Sequence, residues 1–104
     1  MTIQEFRQYC HDDSIQVTAH ALQRMRGRNI TIEMIESCIL NGEIIEEYPN
    51  AYPFPAALIM ESGTEQPLHI AAGIGDNELW VITAYYPDSE KWESDFKTRK
   101  ENQS

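Results

Sequence analysis

The apolar spacing of this chain changes at Gly42, and that change limits the folds open to it. Before Gly42 the apolar residues recur three and four positions apart: Ile3, Phe6 and Tyr9 or Cys10, then Ala21, Leu22 and Met25, then Ile32, Ile35, Cys38 and Ile39. Such spacing lines one face of a helix. After Gly42 apolar and polar positions alternate in twos, as in strands with one buried face. Helices first and strands afterwards describe an α+β domain rather than an alternating α/β one.

The boundaries are marked by residues with known local chemistry. Thr2 and Glu5 form a capping box for a helix over 2–12, which Asp12-Asp13-Ser14 breaks. His11, at the end of that helix, reads as solvated and favoured by the helix C-terminus. Residues 15–18 are a short strand or an extended lead-in, with Thr18 as N-cap of a second helix. Asn29 ends that helix in the left-handed conformation, and Ile30 folds back onto it. Thr31 caps a third helix through about residue 40, which Asn41-Gly42 stops.

Residues 43–48 then read as a strand, followed by a proline-rich extended loop over 48–55. Three more strands are expected over 57–61, 68–74 and 79–86, joined by short turns at 62–65 and 75–77. The product is an antiparallel meander of about four strands. Strict alternation sets Leu68, Ile70 and Ala72 against His69, Ala71 and Gly73. It likewise sets Trp80, Ile82, Ala84 and Tyr86 against Leu79, Val81, Thr83 and Tyr85. Pro87-Asp88 ends the last strand. A C-terminal helix is expected over 89–100, with Trp92 and Phe96 facing inward, and a frayed tail over 101–104. With no repeat or linker, residues 1–104 read as a single domain.

Charge narrows the partners. The chain carries a formal charge of −9, and residues 33–90 hold eleven acids and no Lys or Arg. Seven of the eight basic residues are Arg24, Arg26 and Arg28, then Lys91, Lys97, Arg99 and Lys100. Packed together, these segments would make a local positive patch on an acidic body. Such a balance disfavours avid non-specific nucleic-acid binding and leaves room for a focused anion site. Cys10 and Cys38 are far apart and read as two buried reduced thiols. No apolar run approaches the length of a membrane span and no signal pattern precedes Asp12, so a cytoplasmic location is expected.

The chemistry-bearing residues are few. On a helix, His20, Arg24 and Arg28 share one side, where two guanidinium groups can hold a phosphate and an imidazole can move a proton. The same spacing also suits a basic helix end whose arginines pair with Glu46, Glu47 or Asp88. His20 and His69 lack an evident third ligand, so no metal and no cofactor is expected. Neither cysteine has a neighbouring base, and no serine sits in an elbow motif. What remains is metal-free acid–base chemistry on a phosphodiester. His20, His69, Tyr85, Arg24, Lys91 and Arg99 are the right types for it. The hairpin near Asp76-Asn77 brings His69 roughly opposite residues 83–85. A strand histidine beside an aromatic also suits a packed, hydrogen-bonded residue, and Tyr85 and Trp92 also suit a core.

Six segments in order are familiar: His20-Ala-Leu-Gln-Arg24-Met25 with Arg28 and Ile30; Asn41-Gly42-Glu43 with Ile45, Glu46, Tyr48 and Pro49; Pro53 with Pro55; Pro67-Leu68-His69-Ile70; Ile82-Thr83 with Tyr85, Pro87 and Asp88; and Lys91-Trp92 with Phe96, Lys97 and Arg99. Over about residues 15–100 the chain resembles the DUF4258 family, small prokaryotic domains of unknown function. Such domains look like distant relatives of the RelE/ParE-type toxins, which pair helices with a four-stranded antiparallel sheet. They are often expected beside YgiT/MqsA-type zinc-finger antitoxins. The resemblance implies a toxin-like component of a toxin–antitoxin pair, with a metal-independent ribonuclease site. That site would have His20, His69 and Tyr85 as catalytic residues and Arg24, Arg28, Lys91 and Arg99 as phosphate ligands. The acidic balance departs from what an RNA substrate suggests. The rival expectation is a non-catalytic protein-interaction module with a structural Arg/His ion-pair network. On the toxin–antitoxin reading Tyr52, Phe54 and Trp80 offer apolar contacts to a basic antitoxin segment.

Overall fold

The computed structural model describes residues 2–11 and 15–100. The expected break at Asp12-Asp13-Ser14, the His11 side chain and the 101–104 tail lie outside the described residues. The elements run α1 (Ile3–His11), β1 (Ile15–Val17), α2 (Ala19–Gly27), α3 (Ile32–Asn41), β2 (Glu43–Tyr48), β3 (Ala56–Met60), β4 (His69–Gly75) and β5 (Glu78–Tyr85). They form a mixed α+β fold.

The caps explain the helix limits. Thr2 N–H donates to Glu5 Oε1 at 3.0 Å, and Glu5 N–H donates back to Thr2 Oγ1 at 3.4 Å. Thr18 Oγ1 accepts from Ala21 N–H at 3.1 Å, and Thr31 Oγ1 accepts from Met34 N–H at 3.2 Å. Asn29 takes the left-handed conformation at φ 57°, so the Ile30 N–H turns back to the Met25 carbonyl at 3.0 Å. Gly42 closes α3 because the backbone is crowded there. A Cβ at that position would sit 2.3 Å from the Cys38 carbonyl oxygen and 2.7 Å from that of Met60.

The sheet has five strands, in the order β1-β5-β4-β3-β2. Strands β2 to β5 are the expected antiparallel meander, with a two-residue turn at Asp76-Asn77 whose residues both have positive φ. The expectation of about four strands, all antiparallel, is corrected by β1. Its three residues pair in parallel with β5, Ile15 beside Leu79 and Val17 beside Val81, and the Thr18 N–H extends the ladder to the Val81 carbonyl.

Two bulges decide which side chains face which way. In β2 the register slips between Ile44 and Glu46, leaving Ile45 as the extra residue. In β5 it slips so that Ala71 opposes Thr83 while Ala72 opposes Val81, leaving Ile82 extra. The strict alternation expected for residues 79–86 is thereby overturned. Leu79, Val81, Ala84 and Tyr86 belong to the helix-side core, and Tyr85 pairs with His69 on the opposite face. The first face packs Ala57, Ile59, Ile70, Ala72 and Val81 against Phe6, Met25, Ile35 and Ile39 from the helices, all buried. Thr18 helps hold the second bulge, since its hydroxyl also donates to the Ile82 carbonyl at 3.3 Å. Thr18→Ala therefore removes a cap and a bulge contact together. A loss of about 1–2 kcal/mol is expected in urea unfolding.

The C-terminal helix expected over 89–100 does not form; a hairpin-like strap does. Trp92 and Arg99 make an antiparallel bridge, Glu93 N–H donates to the Thr98 carbonyl at 2.8 Å, and Lys100 N–H donates to that of Lys91 at 3.0 Å. Local side-chain chemistry competes successfully with the helix. Asp95 Oδ1 accepts from Lys97 N–H at 2.9 Å and Thr98 N–H at 3.1 Å, and Phe96 has φ 56°. Trp92 is buried, against the second face of the sheet, whereas Phe96 is only half-buried and reaches His69 through its backbone carbonyl.

Candidate functional site

Under the strap, β2, β4, β5 and the strap itself contribute one polar cluster. His69 heads β4 and has no exposed surface. Its Nδ1 lies 3.2 Å from the Tyr85 hydroxyl and its Nε2 lies 2.7 Å from the Phe96 carbonyl oxygen. A carbonyl only accepts, so Nε2 carries the proton and Nδ1 accepts from Tyr85. The imidazole is thereby fixed in one neutral tautomer. Trp92 meets it edge-on, with ring centroids 4.5 Å apart, and Tyr85 does the same at 5.3 Å. Burial holds the imidazole below its ordinary pKa, against the opposing pull of the Phe96 hydrogen bond.

The charged half of the cluster is an ion pair across the face. Arg99 Nε and Nη2 donate to the two Glu46 carboxylate oxygens at 2.7 and 3.1 Å, a bidentate arrangement. The guanidinium also lies over the Trp92 ring, 4.6 Å from its centroid. The Tyr48 hydroxyl donates to Glu46 as well. Arg99 first, and then Tyr48, hold the Glu46 carboxyl below the usual carboxylate range, while burial opposes them. Burial and the bond to Glu46 push the Tyr48 phenol up to about 12, and Glu46 raises the Arg99 pKa. Tyr85 is raised by burial. Beside this cluster Lys97 pairs with Glu43.

Of the residues expected to form the site, His69, Tyr85 and Arg99 come together. The remainder do not join them. His20 and Arg24 are exposed on α2, and the exposed Arg28 donates from Nη1 to the Ala84 carbonyl at 3.2 Å. Helix α2 packs on the first face through Ala21 and Met25, whereas the strap lies on the second. The sheet thus separates the two basic segments that were expected to pack together as helices. Lys91 is exposed in the strap. The expected pairing of Arg24 and Arg28 with Glu46 is replaced by the Glu46–Arg99 pair. Arg24→Ala is expected to change stability by less than about 1 kcal/mol in a thermal melt, as for other exposed helix positions.

Glu46 and Tyr48 were not among the expected site residues. The pattern Ile44-Ile45-Glu46-Glu47-Tyr48 hides them, because strict alternation places Glu46 on the side of Ile44. The bulge at Ile45 reverses that. The two free cysteines are buried, and loss of hydration pushes Cys10 up to about 11 and Cys38 up to about 12. Both are therefore poor nucleophiles. Among the described residues no three His, Cys, Asp or Glu side chains are placed to hold a metal ion. Nor is any described helix long and apolar enough to cross a membrane.

No curated protein and no solved structure matches the chain. A family model, "Domain of unknown function (DUF4258)", matches residues 17–86. That span runs from the end of β1 through the last strand and includes Glu46, Tyr48, His69 and Tyr85. The chain belongs to the DUF4258 family.

Proposed function

We propose that this domain is a non-catalytic protein-interaction module whose His69–Tyr85–Glu46–Arg99 network is structural. One observation carries the reading: His69 has no exposed surface and both of its ring nitrogens are engaged inside the protein. A general base must reach the proton it abstracts, directly or through one water. A phosphate clamp needs a free guanidinium, and Arg99 already holds a carboxylate with two hydrogen bonds. The acidic surface fits the same reading, since it favours a basic protein segment over a polyanion.

A second reading is supported by the convergence of His69, Tyr85 and Arg99 from three separate segments. On that reading the domain is a toxin-like member of a toxin–antitoxin pair and a metal-independent ribonuclease. The strap lifts to admit RNA, Tyr85 and His69 exchange protons with the ribose and the leaving oxygen, and Arg99 is released to the phosphate. A YgiT/MqsA-type zinc-finger protein would then be the antitoxin. Both readings are tested by expressing the chain with and without its neighbouring gene while following growth and RNA integrity. The interaction module leaves growth and RNA intact and forms a complex of fixed stoichiometry with the neighbouring product. Growth arrest with cleaved RNA, lost in His69→Gln and relieved by the neighbour, would overturn it in favour of the toxin.

A further inference from the structure

The strap covers only part of the second face. Toward the other end of β5 an open apolar cavity of about 330 Å³ is lined by Thr18, Pro53, Phe54, Gly73, Trp80 and Ile82. Gly73 supplies a floor without a side chain. The Phe54 and Trp80 rings stand 6.5 Å apart with 30° between their planes. The Thr18 hydroxyl, the one side-chain oxygen in the lining, is already engaged with Ala21 and Ile82. The lining carries no charged group, and its one unengaged polar atom is the Trp80 Nε1–H, buried without a hydrogen-bond partner among the described residues. Its volume is at the small end for ligand pockets and suits one large side chain rather than a cofactor. Tyr52, beside Pro53, is 94% exposed.

The surroundings are acidic. Glu78 lies two residues from Trp80 on the same face, and Asp76 occupies the adjoining turn. The chain from residue 33 to residue 90, which includes β4, β5 and the proline loop, contains no Lys or Arg. From this geometry we infer that the cavity is the docking site for a basic peptide segment of a partner protein. One aromatic or branched apolar side chain fills the cavity, and flanking Lys or Arg residues meet Glu78 and Asp76. Self-association through the same cavity is disfavoured, because it brings two chains of charge −9 together. The assignment rests on the interaction role proposed above and gives it a location and a ligand chemistry.

The test is a titration of the full-length ¹⁵N-labelled chain with the peptide acetyl-Lys-Lys-Phe-Lys-Lys-amide, followed by amide and indole resonances. The expected result is saturable shifts of the Trp80 indole N–H and the Gly73 amide. Affinity should fall at least about tenfold in Glu78→Lys, and more weakly in Glu78→Gln. Both variants should keep the wild-type pattern elsewhere, which separates lost docking from lost fold. A peptide with Glu flanks, or with Ala in place of Phe, should not bind. The assignment is overturned if Trp80 and Gly73 do not respond, or if the Glu-flanked peptide binds as well as the Lys-flanked one. It is also overturned if Trp80 shifts with protein concentration alone, which would mean a second copy. A neighbouring-gene product that binds and moves only strap or α2 resonances would overturn this location while leaving the interaction role standing.

Discussion

Trp92→Ala is expected to lower the stability of the chain by about 3–5 kcal/mol, the usual cost of removing a buried indole. Trp92 is 3% exposed, and its ring touches His69 on one side and the Arg99 guanidinium on another. Its loss opens a cavity beneath the strap and leaves Arg99 without its aromatic support. A domain of this size has about 5–15 kcal/mol in total, so the variant should unfold at much lower urea concentration. Lys91→Ala, one residue away and exposed, should stay within about 0.5 kcal/mol of wild type. Hydrogen exchange supplies the second readout. The Lys100 and Glu93 amides, which close the strap, should lose protection in Trp92→Ala, while the helix amides lose only what global destabilisation explains. Equal stability of the two variants would mean that the strap is not anchored through its tryptophan.

The second large effect is expected at His69. A leucine there leaves the Tyr85 hydroxyl and the Phe96 carbonyl, both on half-buried residues, without their partner. Each stranded group costs about 1–3 kcal/mol, for a combined loss on the order of 2–5 kcal/mol. The same residue gives the wild-type protein a pH signature. The unfolded chain takes up a proton near the ordinary histidine value of about 6.5, while the buried imidazole resists it. Below that value the unfolded state binds more protons than the folded one, so stability falls as the pH drops from about 6.5. The slope is bounded by about 1.4 kcal/mol per pH unit for a single group. Glu46 acts in a lower window: its depressed carboxyl pKa gives stability that is lost only as acid protonates the folded carboxylate. Urea melts between pH 5 and 7.5 should show a flatter profile for His69→Leu than for wild type. Parallel profiles would remove His69 as the source.

Local chemistry made most of the first half legible. Thr18, Thr31 and Asn29 act within a few residues of themselves, and each does in the fold what its side chain implies. The antiparallel meander was readable for the same reason, since Asp76-Asn77 carries its turn signal on adjacent residues. What the residues do not announce is where a ladder slips. Nothing in Ile44-Ile45-Glu46 or Val81-Ile82-Thr83 marks the extra residue, because the slip is set by partners on neighbouring strands. The candidate site was accordingly half visible: His69 with Tyr85 from the hairpin, but neither Glu46 nor Tyr48. The strap was hidden differently. Trp92 and Phe96 at a four-residue spacing satisfy a helix and a tight hairpin equally well. Asp95 decides between them by capturing the amides of Lys97 and Thr98.

The paired bulges also set what kind of genetic change this fold can absorb. Ile45 and Ile82 are aliphatic positions where a conservative exchange keeps every neighbour in place, so substitution there is mild. Loss of either codon removes the bulge itself and leaves the pairs on both sides of it in register. Deleting Ile82 would make Val81 and Thr83 neighbours opposite Ala72 and Ala71, a regular ladder in which Ala84 still faces the helices and Tyr85 still faces His69. Deleting Ile45 would make Ile44 and Glu46 neighbours opposite Ile59 and Leu58, so alternation alone would keep the Glu46 carboxylate on the side of Arg99. Loss of a paired residue elsewhere in β2 or β5 reverses every face beyond it, so the bulge positions are where these strands can absorb a change in length.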